Sequence, residues 1–166
     1  MGKEFRAEYA TMENLESWMQ LIDIVRWNFP GLETQQELDA YKKTVEKNIN
    51  RKSALCVLDE NVVVGFLLFS TKYNMLCHMG VHPDYRRKKL ASKLITRMLE
   101  NLDRSKDIVV ITFRENDDKG VAPRALYKSF GFEEDELCYD MNYPEQKFVL
   151  RAKREQQPVR SILRNS

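Results

Sequence analysis

The sequence predicts one domain of mixed α and β structure (α/β, or α+β), and three features support this prediction. Its 166 residues fit a single domain of ordinary size. Hydrophobic residues make up 43% of the chain, which is enough to build a core. The middle of the chain follows the order strand, amphipathic helix, strand. The two strands of such a unit normally pair in parallel through a right-handed crossover.

The first fifty residues predict a short strand and two helices. Residues 5–9 alternate between charged and apolar side chains, as a strand does. Thr11 can then cap a helix that runs until Pro30, and Thr34 can cap a second helix that runs to about Ile49.

Three β-rich runs follow the helices. Residues 54–58 and 62–69 are joined by a short polar turn and predict a hairpin. The second run is apolar at nearly every position, which indicates a strand covered on both faces. Residues 75–81 predict another strand, which Pro83 stops.

The clearest helical pattern of the chain begins at Arg87. Its apolar side chains recur at helical spacing. They are Leu90, Ala91, Leu94, Ile95, Met98, Leu99 and Leu102. Residues 108–113 then predict a strand, residues 122–130 a short helix, and residues 134–140 and 146–150 two further strands.

Composition and charge disfavour a nucleic-acid-binding, membrane or secreted protein. The chain holds 27 basic and 25 acidic residues, a net charge of +2, which gives no general attraction to nucleic acid or membrane. Residues 1–9 lack the apolar core of a signal peptide, and the longest apolar run is too short to span a bilayer. Three widely spaced cysteines favour reduced, buried thiols and hence a cytoplasmic protein. The basic tail, residues 152–166, is expected to be mobile or to act as an arm.

Four consecutive cations stand where the amphipathic helix begins. They are Arg86, Arg87, Lys88 and Lys89. Cations are unfavourable at a helix N-terminus, because that end carries partial positive charge and free amide donors. A bound phosphate or pyrophosphate would offset the mismatch. The alternative is a solvated basic patch. The chain has neither of the two common glycine-rich phosphate loops.

These residues resemble the coenzyme A loop of the GNAT superfamily of N-acetyltransferases, which reads [R/Q]-x-x-G-x-[G/A] after a strand. Here the loop reads Arg86, Arg87, Lys88, Lys89, Leu90, Ala91. Ala125, Leu126 and Tyr127, followed by Gly131 and Phe132, match a second element of the family. Two positions depart from the pattern: Lys89 replaces the usual loop glycine, and Gly120 replaces an asparagine seven residues before the tyrosine.

The resemblance implies a fold and a cofactor. The fold is a GNAT-like mixed, mostly antiparallel sheet of about six or seven strands with splayed parallel fourth and fifth strands, flanked by about four helices. One acetyltransferase domain would occupy residues 1–151. Acetyl-CoA, the cosubstrate, would pair with main-chain groups near Met79 and Val81. Its pyrophosphate would lie on Arg86, Arg87, Lys88, Lys89, Leu90, Ala91 and Ser92.

The implied activity is transfer of acetyl to the amine of a small molecule or protein by direct attack. Tyr127 would protonate the departing thiolate as general acid; the alternative is a tyrosine that only packs beneath the sheet. The sequence does not reveal the base. His78 and His82 are candidates by chemistry, although a histidine in a strand or turn needs no catalytic reason. A water chain or Glu115 is a further candidate.

Several alternatives stay open. An acceptor pocket could use an aromatic set (Trp18, Trp27, Phe29, Tyr41) and an acidic run (Glu133, Glu134, Asp135, Glu136), although core and solvated-turn roles are commoner for such residues. A noncatalytic coenzyme A-binding or regulatory module is the second functional class. A nucleic-acid module is not favoured, and a homodimer is one alternative for the oligomeric state. No metal is expected, because His78 and His82 would be about 13 Å apart in an extended segment.

Overall fold

The computed structural model describes residues 3–153, which form a seven-stranded mixed sheet. The strands are β1 (Ala7–Tyr9), β2 (Ala54–Asp59), β3 (Val62–Ser70), β4 (Met75–Val81), β5 (Ile108–Phe113), β6 (Glu133–Asp140) and β7 (Tyr143–Leu150). Their order in the sheet is β1-β2-β3-β4-β5-β7-β6. β4 and β5 pair in parallel, and the other neighbours pair antiparallel. The predicted fold class is confirmed.

Helices cover both faces of the sheet. Within the described residues these are α1 (Leu15–Val25), α2 (Gln35–Asn50), α3 (Leu90–Leu99) and α4 (Val121–Ser129). The apolar side chains of α1 and α2 pack with Phe66 and Leu68 on one face, which we call the α1–α2 face. Those of α3 and α4 pack with Leu67 and Phe148 on the opposite face, which we call the α3–α4 face. No helix in this part of the chain is long and apolar enough to cross a bilayer.

The start of α2 agrees with the capping residue predicted from the sequence, whereas the start of α3 differs from the prediction. Thr34 caps α2 through a reciprocal pair with Glu37: the Glu37 amide donates to the Thr34 hydroxyl (3.1 Å), and the Thr34 amide donates to the Glu37 carboxylate (3.0 Å). α3 begins at Leu90 and not at Arg87. Arg87 and Lys89 have φ angles of +64° and +63°, which a right-handed helix excludes.

Other boundaries also differ from prediction. α1 ends at Val25 and continues as a 3-10 turn over Arg26–Asn28, so it stops before Pro30. β7 begins at Tyr143, three residues before the predicted start, and it lies between β5 and β6 in the sheet. The tail predicted to be mobile lies outside the described residues from position 154 onward.

Candidate cofactor and acceptor site

The parallel pair β4 and β5 is joined at one end only. Met75 pairs with Val109 and Leu76 with Val110, and no further pairing joins the two strands within the described residues. Asn74 fixes the joined end: its side-chain amide donates to the main-chain oxygens of two residues in the α3–β5 loop, Asp103 (2.8 Å) and Asp107 (3.1 Å). The strands therefore leave a gap that opens toward their carboxyl ends.

A β-bulge in β4 sets which side chains face which helices. Leu68 pairs with His78 and the next residue of β3 pairs with Leu76, so Cys77 is the extra residue. Beyond the bulge, Met79 and Val81 pack on the α3–α4 face. His78 and Gly80 therefore face α1 and α2. Cys77 is exposed and Cys138 is half-buried, which corrects the prediction that all three cysteines are buried; all three are free thiols.

The main-chain groups of Met79 and Val81 point toward the gap. The His82 amide donates to the Val64 carbonyl of β3 (2.8 Å). In an antiparallel ladder, alternate residues direct their main-chain groups toward and away from the partner strand. Met79 and Val81 are therefore the residues whose amide and carbonyl groups are directed away from β3. A ligand strand in the gap would meet them first.

The basic loop between β4 and α3 presents its cations at the mouth of this gap. Arg86, Arg87, Lys88 and Lys89 are all exposed. The loop is anchored just before them: the Tyr85 hydroxyl donates to Asp59, and the Asp84 amide donates to Nδ1 of His82 (3.1 Å). His82 thus caps the turn that leads into the loop.

The start of α3 has amide donors available for an anion. Lys89 caps the helix without a side-chain hydrogen bond, and its carbonyl accepts from the Lys93 amide (3.1 Å). Within the described residues, the amides of Leu90, Ala91 and Ser92 donate to no protein acceptor. Lys89 takes the left-handed conformation that glycine adopts most easily, so its backbone follows the path of the missing glycine at some cost in strain.

Tyr127 lies on α4 beneath the α3–α4 face of the sheet. It is only 5% exposed and packs on Phe132 and Phe148, with ring centroids 5.9 and 6.3 Å apart. Burial raises the pKa of its hydroxyl, so the phenol is protonated at neutral pH. Within the described residues no hydrogen-bond partner is found for this hydroxyl.

Arg124 fixes α4 against the open end of the sheet. Its buried guanidinium donates to the Phe113 carbonyl (2.8 Å) and Gln146 side chain (2.8 Å), and pairs with Glu134 (2.6 Å). The helix also approaches β5 closely at Gly120, where an added Cβ would lie 2.9 Å from Cβ of Phe113. The departure at Gly120 therefore has a steric reason.

On the α1–α2 face, the ring of His78 is surrounded by three aromatic rings. The rings of Phe29, Phe66 and Tyr41 have centroids 4.3, 4.9 and 5.2 Å from that of His78. The Tyr41 hydroxyl accepts from Nε1 of Trp18 (3.1 Å) and lies 2.9 Å from Nδ1 of His78. The direction of the hydrogen bond between Tyr41 and His78 depends on which ring nitrogen of His78 carries the proton. Burial lowers the pKa of His78 to about 4.

The aromatic set and the acidic run that were considered as walls of an acceptor pocket do not act together as the walls of one pocket. Trp18 is a core residue, and Trp27 is 64% exposed. Glu134 pairs with Arg124 and Lys128, and Asp135 with Lys147 and Arg151. The acidic run is thus largely used in ion pairs along β6.

A second group of acids was not predicted from the sequence. Glu145 of β7 pairs in register with Phe113 at the open end of β5, and Asp117 and Asp140 lie close enough to raise its pKa. We call these three residues the acidic cluster. The Tyr143 hydroxyl donates to Asp117 Oδ2 (2.5 Å). Burial, and then Asp140 and Asp117, raise the pKa of Glu145 to about 7. Glu145 lies one residue before the strand predicted over residues 146–150, so no local pattern marked it.

No group of three or more histidine, cysteine or acidic residues with the arrangement of a metal site occurs in residues 3–153. The open parallel pair and the basic start of α3 agree with the fold that the sequence resemblance implied.

The sequence matches the model of the acetyltransferase (GNAT) domain over residues 51–134, half of the chain. The chain belongs to the GNAT acetyltransferase family. No curated protein matches the sequence significantly.

Solved structures of similar fold cover most of the chain. A GNAT-family acetyltransferase from Bacillus cereus is 21% identical, covers 92% of this chain and 100% of its own, and has a TM-score of 0.70. The PaiA N-acetyltransferase from Thermoplasma acidophilum, in complex with coenzyme A, is 14% identical over 87% of this chain and 98% of its own (TM-score 0.63). The ribosomal-protein-S18-alanine N-acetyltransferase from Escherichia coli is 16% identical over 93% and 98% (TM-score 0.66).

Proposed function

We propose that this chain is an N-acetyltransferase that transfers acetyl from acetyl-CoA to the amine of an acceptor, within a single domain over residues 1–151. The proposal rests on one observation: the exposed basic loop and the unpaired amides at the start of α3 lie beside the open end of the parallel pair β4 and β5. The PaiA structure of similar fold was solved with coenzyme A. The free cysteines, one of them buried, favour the reducing cytoplasm.

In this proposal the loop binds the pyrophosphate. The amides of Leu90, Ala91 and Ser92 and the partial positive charge of the helix start would receive its oxygens. The side chains of residues 86–89 add charge at the same place. The pantetheine arm would enter the gap and pair with the main chain of Met79 and Val81, like an added strand.

The transfer itself needs a neutral amine and a protonated leaving group. The amine nitrogen attacks the thioester carbonyl carbon, and the tetrahedral intermediate expels the thiolate of coenzyme A. Tyr127 is the proposed proton donor to the sulfur, because its hydroxyl stays protonated at neutral pH and lacks a competing partner in the described residues. The acceptor is a small-molecule amine or a protein amine; the S18-alanine enzyme acts on the latter kind.

A noncatalytic coenzyme A-binding module is the second candidate. The observation that favours it is Lys89, whose side chain occupies the position of the glycine that normally admits the pyrophosphate. Binding of acetyl-CoA without thiol release across a broad panel of amines would support it over the enzyme.

Calorimetric titration with acetyl-CoA tests the loop assignment. The double substitution Arg86→Glu and Arg87→Glu should weaken binding at least ~10-fold, because it removes two charge-assisted contacts and adds repulsion. Lys42→Glu with Lys43→Glu on α2 is the matched control, since both residues are exposed and the change in charge is identical.

Acetyl-pantetheine, which lacks the pyrophosphate, sharpens this test. It should bind the wild type and both double variants equally. If the loop variant and the α2 control bind acetyl-CoA with the same affinity, the loop does not hold the pyrophosphate.

A further inference from the structure

Glu145 is a buried acid without a partner. The residue is 6% exposed, and within the described residues its carboxylate accepts no hydrogen bond and forms no ion pair. Arg114 contacts Glu145 through the main chain: Nε of Arg114 donates to the Glu145 carbonyl (3.0 Å). A buried carboxylate in this state is costly unless a proton or a cation joins it.

The strand alternation places Glu145 on the α1–α2 face. Gln146 and Phe148 point to the opposite face, where they contact Arg124 and Tyr127. Successive side chains of a strand alternate between faces, so Glu145 lies on the same face as His78 and Gly80, with β5 and the gap between them. An acceptor that approaches the gap from this face would meet both sides.

The surroundings of Glu145 leave its charge uncompensated. The ionisable groups around it are Arg114, Asp117 and Lys119 after β5, Cys138 and Asp140 of β6, and Tyr143 and Lys147 of β7. Within the described residues none of these cations forms an ion pair with the Glu145 carboxylate: Arg114 donates to the main-chain oxygens of Cys138 and Glu145, Lys119 donates to that of Trp27 (3.5 Å), and Lys147 pairs with Asp135. Asp117 and Asp140 therefore act on Glu145 as net repulsion.

We propose that the Glu145 carboxylate accepts the proton that a cationic primary amine must lose before acetylation, within the acidic cluster that Asp117 and Asp140 complete. This inference rests on the proposed acetyltransferase function. It assigns the acceptor to protonated amines, which the three acids attract, and it assigns the base to β7 and not to β4.

The proton and electron balance is complete with the two substrates. The ammonium nitrogen gives one proton to Glu145, and its freed lone pair forms the N–C bond at the thioester carbonyl. The C–S bond then breaks, its electron pair leaves on sulfur, and sulfur receives a proton from Tyr127. The second nitrogen proton passes to water, which restores Tyr127, and Glu145 releases its proton to solvent. The net products are the acetamide, coenzyme A and one proton.

The test is the pH dependence of kcat/KM with acetyl-CoA and a panel of amines, including 1,4-diaminobutane and a short peptide with a free α-amine. For every amine of the panel that the wild type acetylates, kcat/KM should rise as the pH passes through neutrality and Glu145 loses its proton. We call this rising part of the pH profile the limb. Glu145→Gln should lower kcat/KM roughly 100-fold at alkaline pH and remove that limb. Asp140→Asn should move the limb to lower pH, which a merely structural role of Glu145 would not produce. Glu16→Gln, an exposed glutamate of α1, should match the wild type.

Different failures are distinguishable. If the wild type releases no coenzyme A with any amine, the acetyltransferase function fails, and the role of Glu145 fails with it. If the wild type acetylates an amine but Glu145→Gln keeps its rate and pH profile, only the role of Glu145 fails. A carbon-13 NMR titration of the Glu145 carboxyl needs no acceptor, and an ordinary pKa there would also overturn the assignment.

Discussion

Replacing Glu145 with glutamine should stabilise the protein at alkaline pH and have little effect at acidic pH. Burial, and then the nearby Asp140 and Asp117, raise the pKa of Glu145 from its ordinary value of 4.5 to about 7. The folded state therefore binds this proton more tightly than the unfolded state. The stability that the protonated carboxyl contributes is complete below 4.5 and is lost as the pH rises through about 7.

The size of the effect follows from this difference in pKa. The difference between 4.5 and about 7 corresponds to an upper limit of about 3 kcal/mol. Water still reaches part of the carboxyl, so we take about 1–2 kcal/mol as the expected penalty in the wild type at alkaline pH. Glutamine keeps the shape of the side chain and does not titrate, so it removes the penalty.

Urea unfolding of the wild type and Glu145→Gln at about pH 5 and about pH 8.5 measures the effect. The variant should be more stable by about 1–2 kcal/mol at the higher pH, a rise of roughly 3–6 °C in Tm, and nearly equal at the lower pH. Glu16→Gln should show no such dependence on pH. A stability difference that is the same at both pH values, or a variant that is less stable at the higher pH, would refute the reasoning. A variant that gains stability while it loses activity would identify Glu145 as a functional and not a structural acid.

Two further substitutions test the site. Tyr127→Phe keeps the packing on Phe132 and Phe148 and removes only the hydroxyl, so kcat should fall about 100-fold while calorimetry shows unchanged affinity for acetyl-CoA; an unchanged kcat would remove the acid role. Lys89→Gly relieves the left-handed backbone at φ +63° and should raise the free energy of unfolding by about 0.5–1 kcal/mol in urea titrations; a loss of stability would show that the Lys89 side chain makes a contact of greater value.

The sequence predicted the parts of the fold that depend on local pattern. The apolar spacing of α3 and the β-rich runs of the hairpin were sufficient to locate them. The start of α3 was predicted three residues too early, because nothing local shows that Arg87 and Lys89 adopt positive φ. The position of β7 between β5 and β6 depends on pairing between distant segments, which periodicity does not reveal.

The residues of the candidate site likewise fall into those that a local sequence pattern predicts and those that depend on pairing between distant segments. The loop cations form one short sequence segment and could be recognised from their conflict with the helix start. The acidic cluster joins Asp117, Asp140 and Glu145 from three separate segments, and Glu145 lay outside the predicted strand. The β-bulge at Cys77 likewise follows from pairing with β3 and left no pattern in the sequence.

The surroundings of His78 indicate whether this residue can accept the proton that the amine loses. Nε1 of Trp18 donates to the Tyr41 hydroxyl, which lies 2.9 Å from Nδ1 of His78. Nε2 is buried and has no hydrogen-bond partner within the described residues. Burial lowers the pKa of His78 to about 4, so the neutral imidazole does not readily take up a proton at neutral pH. His78 is therefore a weak base for the deprotonation of an ammonium. Of the two unpartnered groups on this face, Glu145 is the one that can accept a proton.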